Sequence, residues 1–161
     1  MNNFNSHLIN KTSGIVANLK AQDIKIALAE SCTGGLLSAL FTEVSGVSEV
    51  LDRSFVTYSN KAKVEMLGVD EDLLLKFGAV SEQVAKAMVI GALSNSDTDV
   101  AVSITGVAGP GGGTEEKPVG LVYVGVARKG GIIRVRKFNF SGDRCEVRAR
   151  TLQDALEMLS F

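Results

Sequence analysis

The sequence predicts a single α/β domain with a mixed β-sheet, and three observations carry that expectation. Short β-branched runs alternate along the chain with stretches of helical spacing, a pattern open to an α/β or an α+β layout. The last two runs are joined by "RKGG" (128–131), a short glycine turn that favours an antiparallel hairpin, which makes the sheet mixed. The 161 residues, 45% of them apolar, supply one core and leave little for a second, so the expected domain spans residues 1–161.

Taken in order, the chain opens on a helix at about 8–21, followed by the strand "IKIALA" (24–29) and a helix at about 33–43. The strand "SFVTYS" (54–59) comes next, then helices at about 61–67 and 81–95. "DVAVSI" (99–104) is a strand that runs into "TGVAGPGGGTEEKP" (105–118), where five glycines, two prolines and no periodicity mark a long loop. A loop of that length inside so small a domain favours a binding role. "GLVYVGVA" (120–127) and "GIIRVRKFNF" (131–140) form the hairpin. The last helix, 143–159, repeats Leu152, Ala155, Leu156 and Leu159 at helical spacing, and Asp143 with Glu146 resembles a capping box.

Several function classes are disfavoured by composition. With 17 basic and 18 acidic side chains the net charge is −1, so no overall field draws the chain to nucleic acid or to an anionic membrane, and a small-molecule partner is expected. No apolar stretch approaches the ~20 residues that span a bilayer, and the N-terminus lacks a signal core. Cys32 and Cys145 make no CxxC pair, which fits a reducing cytoplasm. The single histidine, His7, lies in an unpatterned N-terminal tail, which disfavours Ser-His-Asp and Cys-His arrangements and rules out a histidine-rich metal site. GxxxxGK[ST] is absent, and "GPGGGT" (109–114) misses the last glycine of GxGxxG.

The chemistry concentrates in "AESCTGGLLSALF" (29–41). Ser31 or Thr33 fits an N-cap, and Ser31 also fits a nucleophile at a strand-to-helix bend. Such a bend would leave the amides of Cys32 to Gly35 unpaired and suited to an oxyanion, with Gly34 and Gly35 admitting a substrate close to the backbone. Cys32 fits a small buried filler. Without histidine, the base for Ser31 must be lysine, tyrosine or a carboxylate, and "TYSNKAKVEML" (57–67) offers Tyr58, Lys61 and Lys63. On a helix the two lysines point roughly 200° apart. Lys61 and Glu65 form an i,i+4 pair typical of a solvated face, whereas Lys63 shares its side with Leu67 and is the better inward candidate. A neutral Lys63 near physiological pH requires its pKa to fall to roughly 7–8, within what burial produces. Arg144, at a helix start, fits either a flank of the cap or a phosphate contact. The residues alone lead to a small-molecule α/β domain with a candidate serine-dependent acyl-transfer site.

Together, "AESCTGG" (29–35), "FVTYSNKAK" (55–63), "LGV" (67–69), "GAVSEQVA" (78–85), "AVSITGVAGPGGGTEEKPVGLVYVGVA" (101–127) and "GDR" (142–144) resemble the C-terminal domain of the CinA family, in the same order across nearly the whole chain. The resemblance implies a three-layer α/β/α sandwich and hydrolysis of the carboxamide of nicotinamide mononucleotide to nicotinate mononucleotide and ammonia, in pyridine nucleotide salvage. It implies Ser31 as nucleophile, Lys63 as base and Tyr58 as a companion that relays or positions the proton. Thr105 falls where substrate or the tetrahedral oxygen would be held, and Arg144 with the loop 106–113, including Gly106, Gly109 and Gly112, would contact ribose and phosphate. Glu30, Cys32, Thr33, Gly34 and Gly35 complete the expected substrate-binding set. Neither metal nor cofactor is expected, and a symmetric homodimer is the base-rate expectation for assembly. Larger family members carry a further N-terminal domain, and this chain corresponds to the deamidase-like part.

Overall fold

In the computed structural model, which describes residues 4–160, five strands form one sheet. They are β1 (Ile26–Glu30), β2 (Leu51–Val56), β3 (Val100–Gly106), β4 (Leu121–Arg128) and β5 (Ile133–Asn139), in the order β2-β1-β3-β4-β5. β1 runs parallel to β2 and β3, while β4 runs antiparallel to both β3 and β5, so the sheet is mixed as expected. Six helices cover it: α1 (Ser6–Ala21), α2 (Leu36–Thr42), α3 (Asn60–Leu67), α4 (Glu71–Phe77), α5 (Glu82–Ser94) and α6 (Arg144–Leu159).

The central strands β1, β3 and β4 are buried on both faces while the edge strands β2 and β5 are largely exposed, and the period of two divides the inward side chains into two unequal sets. Ile26, Leu28, Val102, Ile104, Val122 and Val124 point toward α1, α2 and α6. Ala27, Ala29, Ala101 and Ala127 point toward α3, α4 and α5. The result is the three-layer α/β/α sandwich, with bulk on one face of the sheet and small residues on the other. The small face lets α5 approach closely: the Ser103 hydroxyl donates to the Ala85 carbonyl at 2.7 Å, and a Cβ at Gly125 would sit 2.5 Å from that hydroxyl oxygen.

Helix starts follow local capping. Asn5, Ser59, Asp70, Ser81 and Asp143 each accept a backbone N–H at the first turn, and Asp143 with Glu146 completes the expected capping box. Four expectations are corrected. His7 lies in the first turn of α1, exposed, rather than in a tail. The strand expected at 54–59 is Leu51–Val56, so Tyr58 lies past its end. The helix expected at 33–43 is Leu36–Thr42, for a reason given below. α4 was not expected, because its leucines are contiguous rather than at helical spacing: Leu74 is buried and Leu75 is 84% exposed. Among the described residues no helix is long and apolar enough to cross a membrane.

Candidate active site

Register brings the candidate residues together. Glu30 at the end of β1 pairs with Val56 of β2 and with Ile104 of β3, so the residues that follow, Ser31, Thr57 and Thr105, lie side by side at the same end of the sheet. Two hydrogen bonds hold the three segments in place, Ser31 N–H to the Ile104 carbonyl at 3.0 Å and Thr57 N–H to the Glu30 carbonyl at 2.8 Å. The chain passes from β1 to β2 on one side and returns to β3 on the other, so this is the carboxyl end of the sheet's three parallel strands at their topological switch point, where α/β folds bind ligands.

A cavity of about 270 Å³ opens there, walled by Ser31, Cys32, Tyr58, Lys63, Thr105 and Arg144 together with the loop glycines Gly106, Gly109 and Gly112. Val107, Ala108 and Gly111, within the loop 106–113 expected to contact ribose and phosphate, also line it, as do Ala79 and Val80, which the sequence reading missed. They contribute wall rather than chemistry, so nothing in their residue type marks them. Among the described residues, Lys63 and Arg144 are the only charged side chains in the lining, which gives the cavity a cationic character.

Lys63 projects inward from α3 and is 1% exposed, while Lys61 points out and sits 3.6 Å from Glu65. The Lys63 Nζ lies 3.0 Å from Ser31 Oγ, 2.8 Å from the Thr57 carbonyl and 3.4 Å from the Tyr58 carbonyl. Burial pulls its pKa down from 10.5 to about 8. A neutral amine has two hydrogens and one lone pair. In that neutral form, with two carbonyls to accept the hydrogens, the lone pair faces Ser31 Oγ.

The neighbouring groups do not compete. Burial pushes the Cys32 thiol up to about 11, so it stays protonated near neutral pH. The Thr105 hydroxyl donates to the Ala79 carbonyl at 2.8 Å. Tyr58 differs from its expected place beside the lysine. Its side chain is 63% exposed, its hydroxyl accepts from Arg144 Nη2 at 3.3 Å, and Lys63 meets it only at the main-chain carbonyl. Arg144 Nη1 also donates to the Gly109 carbonyl at 2.8 Å, so this guanidinium ties the glycine loop to Tyr58 across the cavity mouth.

The turn after Ser31 corrects a second expectation. Gly34 and Gly35 adopt φ of 61° and 93°, left-handed conformations that delay the helix to Leu36. Glu30, fully buried, reaches over the turn: Oε2 accepts from the Thr33 hydroxyl at 2.6 Å and the amides of Gly35 and Leu37 at 3.1 and 3.0 Å. Its Oε1 accepts from the Ser38 amide and hydroxyl at 2.8 and 2.6 Å. The helix start expected to hold a substrate oxyanion is thus occupied by the protein's own carboxylate. Gly34 N–H donates to the Ser31 carbonyl, which leaves the amides of Cys32 and Thr33 as the two in the turn without a backbone partner among the described residues. Glu30, Thr33, Gly34 and Gly35 shape the turn from behind and do not line the cavity. Glu30→Ala is expected to lower stability by about 3 kcal/mol, since five donors lose one buried acceptor, with a fall in Tm of roughly 10 °C by calorimetry. Among the described residues, no group of three or more His, Cys, Asp and Glu could hold a metal ion.

This architecture is found in known proteins. A family model described as the CinA C-terminal domain matches residues 9–161. The crystal structure of the competence/damage inducible protein CihA from Agrobacterium tumefaciens is similar at a TM-score of 0.96 and 43% identity, covering 99% of this chain and 97% of that one. A relative from Caldicellulosiruptor bescii named a putative competence-damage inducible protein is 51% identical over 145 residues, 90% of this chain and 35% of that protein. The chain therefore spans about a third of the length of several curated relatives it matches. A relative from Enterobacter agglomerans named nicotinamide-nucleotide amidohydrolase PncC is 51% identical over 146 residues, 88% of this chain and 89% of that protein. A family match over nearly the whole chain, joined to a shared fold, means that this chain belongs to the CinA C-terminal domain family.

Proposed function

We propose that the chain hydrolyses the carboxamide of nicotinamide mononucleotide to nicotinate mononucleotide and ammonia, in pyridine nucleotide salvage, with Ser31 as nucleophile and Lys63 as its base. The observation that carries this reading is the buried Lys63 Nζ, 3.0 Å from Ser31 Oγ, with two main-chain carbonyls to take its remaining hydrogens. The PncC relative of matching length supports the choice of substrate.

Lys63 takes the Ser31 hydroxyl proton as Oγ bonds to the carboxamide carbon, and the carbonyl π electrons move onto oxygen. The free Cys32 and Thr33 amides are the donors available to that oxyanion. Collapse breaks the C–N bond while Lys63 returns the proton to the departing nitrogen, releasing ammonia and leaving an ester on Ser31. Water then gives a proton to Lys63 and attacks the ester, and the second collapse restores the Ser31 hydroxyl. The substrate's pyridinium charge draws electrons from the carboxamide and eases both attacks. Arg144 and the glycine loop hold the phosphate and ribose, consistent with a cationic cavity.

Ammonia release from nicotinamide mononucleotide by the purified protein tests the reading. Turnover supports it. Nucleotide protection against heat without ammonia release would replace it with a binding module, and release only from other amides would replace it with a Ser-Lys amidohydrolase of different substrate.

A further inference from the structure

Helix α6 carries two arginines one turn apart, and the cavity accounts for only the first. Arg144 lines it, whereas Arg148 does not. Arg148 is half-buried, and its Nη2 donates to the Thr33 carbonyl at 2.9 Å. Its Nε is buried without an acceptor, and no ion pair to a carboxylate offsets its charge among the described residues. A guanidinium held this way is a poor stabilising device, because desolvation goes uncompensated by a partner charge. Arrangements of that kind persist where they serve a site.

The group it holds is informative. Thr33 sits two residues after Ser31, and its own amide is one of the two unpaired in the turn. Its hydroxyl is fixed by Glu30 and its carbonyl also accepts the Leu36 amide at 3.2 Å. Arg148 adds a charged donor from outside the turn, from a different helix 115 residues away. Pinning that carbonyl restricts rotation about Thr33, and hence the direction of the peptide that bears the free amide.

We infer that Arg148 is a positioning residue: from α6 it locks the turn that holds Ser31 and the Cys32 and Thr33 amides in reacting arrangement. The same helix thereby grips substrate through Arg144 and aligns the nucleophile turn through Arg148. The kinetic part of this inference rests on the amidohydrolase reading, while the structural part does not.

Two measurements on Arg148→Met and Arg148→Lys, with Arg144→Met as the contrast, test it. For ammonia release from nicotinamide mononucleotide, Arg148→Met is expected to lower kcat by about 10- to 100-fold with KM within about twofold, as misplacement of reacting groups does. Arg148→Lys, which keeps a donor for the same carbonyl, is expected to recover part of that loss, and Arg144→Met is expected to raise KM. In hydrogen–deuterium exchange, the amides of residues 34–38 are expected to exchange at least about tenfold faster in Arg148→Met, with α5 unchanged. An unchanged kcat, a change confined to KM, or faster exchange spread through α5 as well would overturn the inference. If Arg148→Met does not fold, Arg148→Lys carries both measurements, with a smaller loss of kcat at constant KM expected and an unchanged kcat contradicting it. If the unaltered protein releases no ammonia, the amidohydrolase reading falls and exchange alone decides: acceleration confined to 34–38 supports the lock, and no acceleration refutes it.

Discussion

Ser31→Ala is expected to lower kcat for ammonia release by about 10⁴-fold or more while nucleotide affinity stays within about twofold. The size of the effect follows from the lack of a substitute. The Cys32 thiol lies in the same wall but is held protonated by burial, with a pKa of about 11. The Thr105 hydroxyl is committed to the Ala79 carbonyl. Affinity is retained because the proposed phosphate and ribose contacts belong to Arg144 and the glycine loop, which do not depend on Oγ. Ammonia assay and titration calorimetry on the same preparation separate the two quantities.

Lys63→Met is expected to cost about 10³-fold or more in kcat, and Lys61→Met less than about twofold, although the two lysines stand two residues apart on one helix. Methionine approximates the lysine stem but leaves the Thr57 and Tyr58 carbonyls without a donor, so Tm is measured alongside. The sign of the pH dependence is fixed by the role. A base works deprotonated, and the Lys63 pKa is lowered to about 8, so kcat/KM is expected to rise with pH and level off above about 8. A rate that instead fell through pH 8 would mean that the charged lysine is the active form. Lys63→Met is expected to lose the rise altogether.

The sequence shows some of this arrangement plainly and hides the rest for identifiable reasons. Short β-branched runs and the "RKGG" turn report local preferences, and the mixed sheet followed from them. The inward direction of Lys63 was legible because helix geometry alone separates it from Lys61, and Glu65 marks the outer face. Its lowered pKa entered the sequence reading only as a requirement of the base role, since the burial that produces it comes from α3 packing beside segments that the sheet register delivers. The turn at 31–35 misled in a specific way. The spacing of "ESCTGG" points to free amides at a helix start, but Glu30 reaches seven and eight residues forward to take those of Leu37 and Ser38. A carboxylate that folds back over its own turn leaves no periodic trace. Tyr58 illustrates the same limit, because the partner of its hydroxyl, Arg144, is 86 residues away. Arg148 escaped notice for that reason too: one turn after Arg144 it reads as an ordinary helix arginine until the Thr33 carbonyl is found beside it.

The central claim is that Ser31 and Lys63 act as one catalytic pair. Its most direct test is ammonia release from nicotinamide mononucleotide at pH 8.5 by the unaltered chain, Ser31→Ala and Lys63→Met in parallel. Rapid release by the first and at most trace release by both variants is the expected result. Equal release by the unaltered chain and Ser31→Ala would contradict the account and move the nucleophile elsewhere.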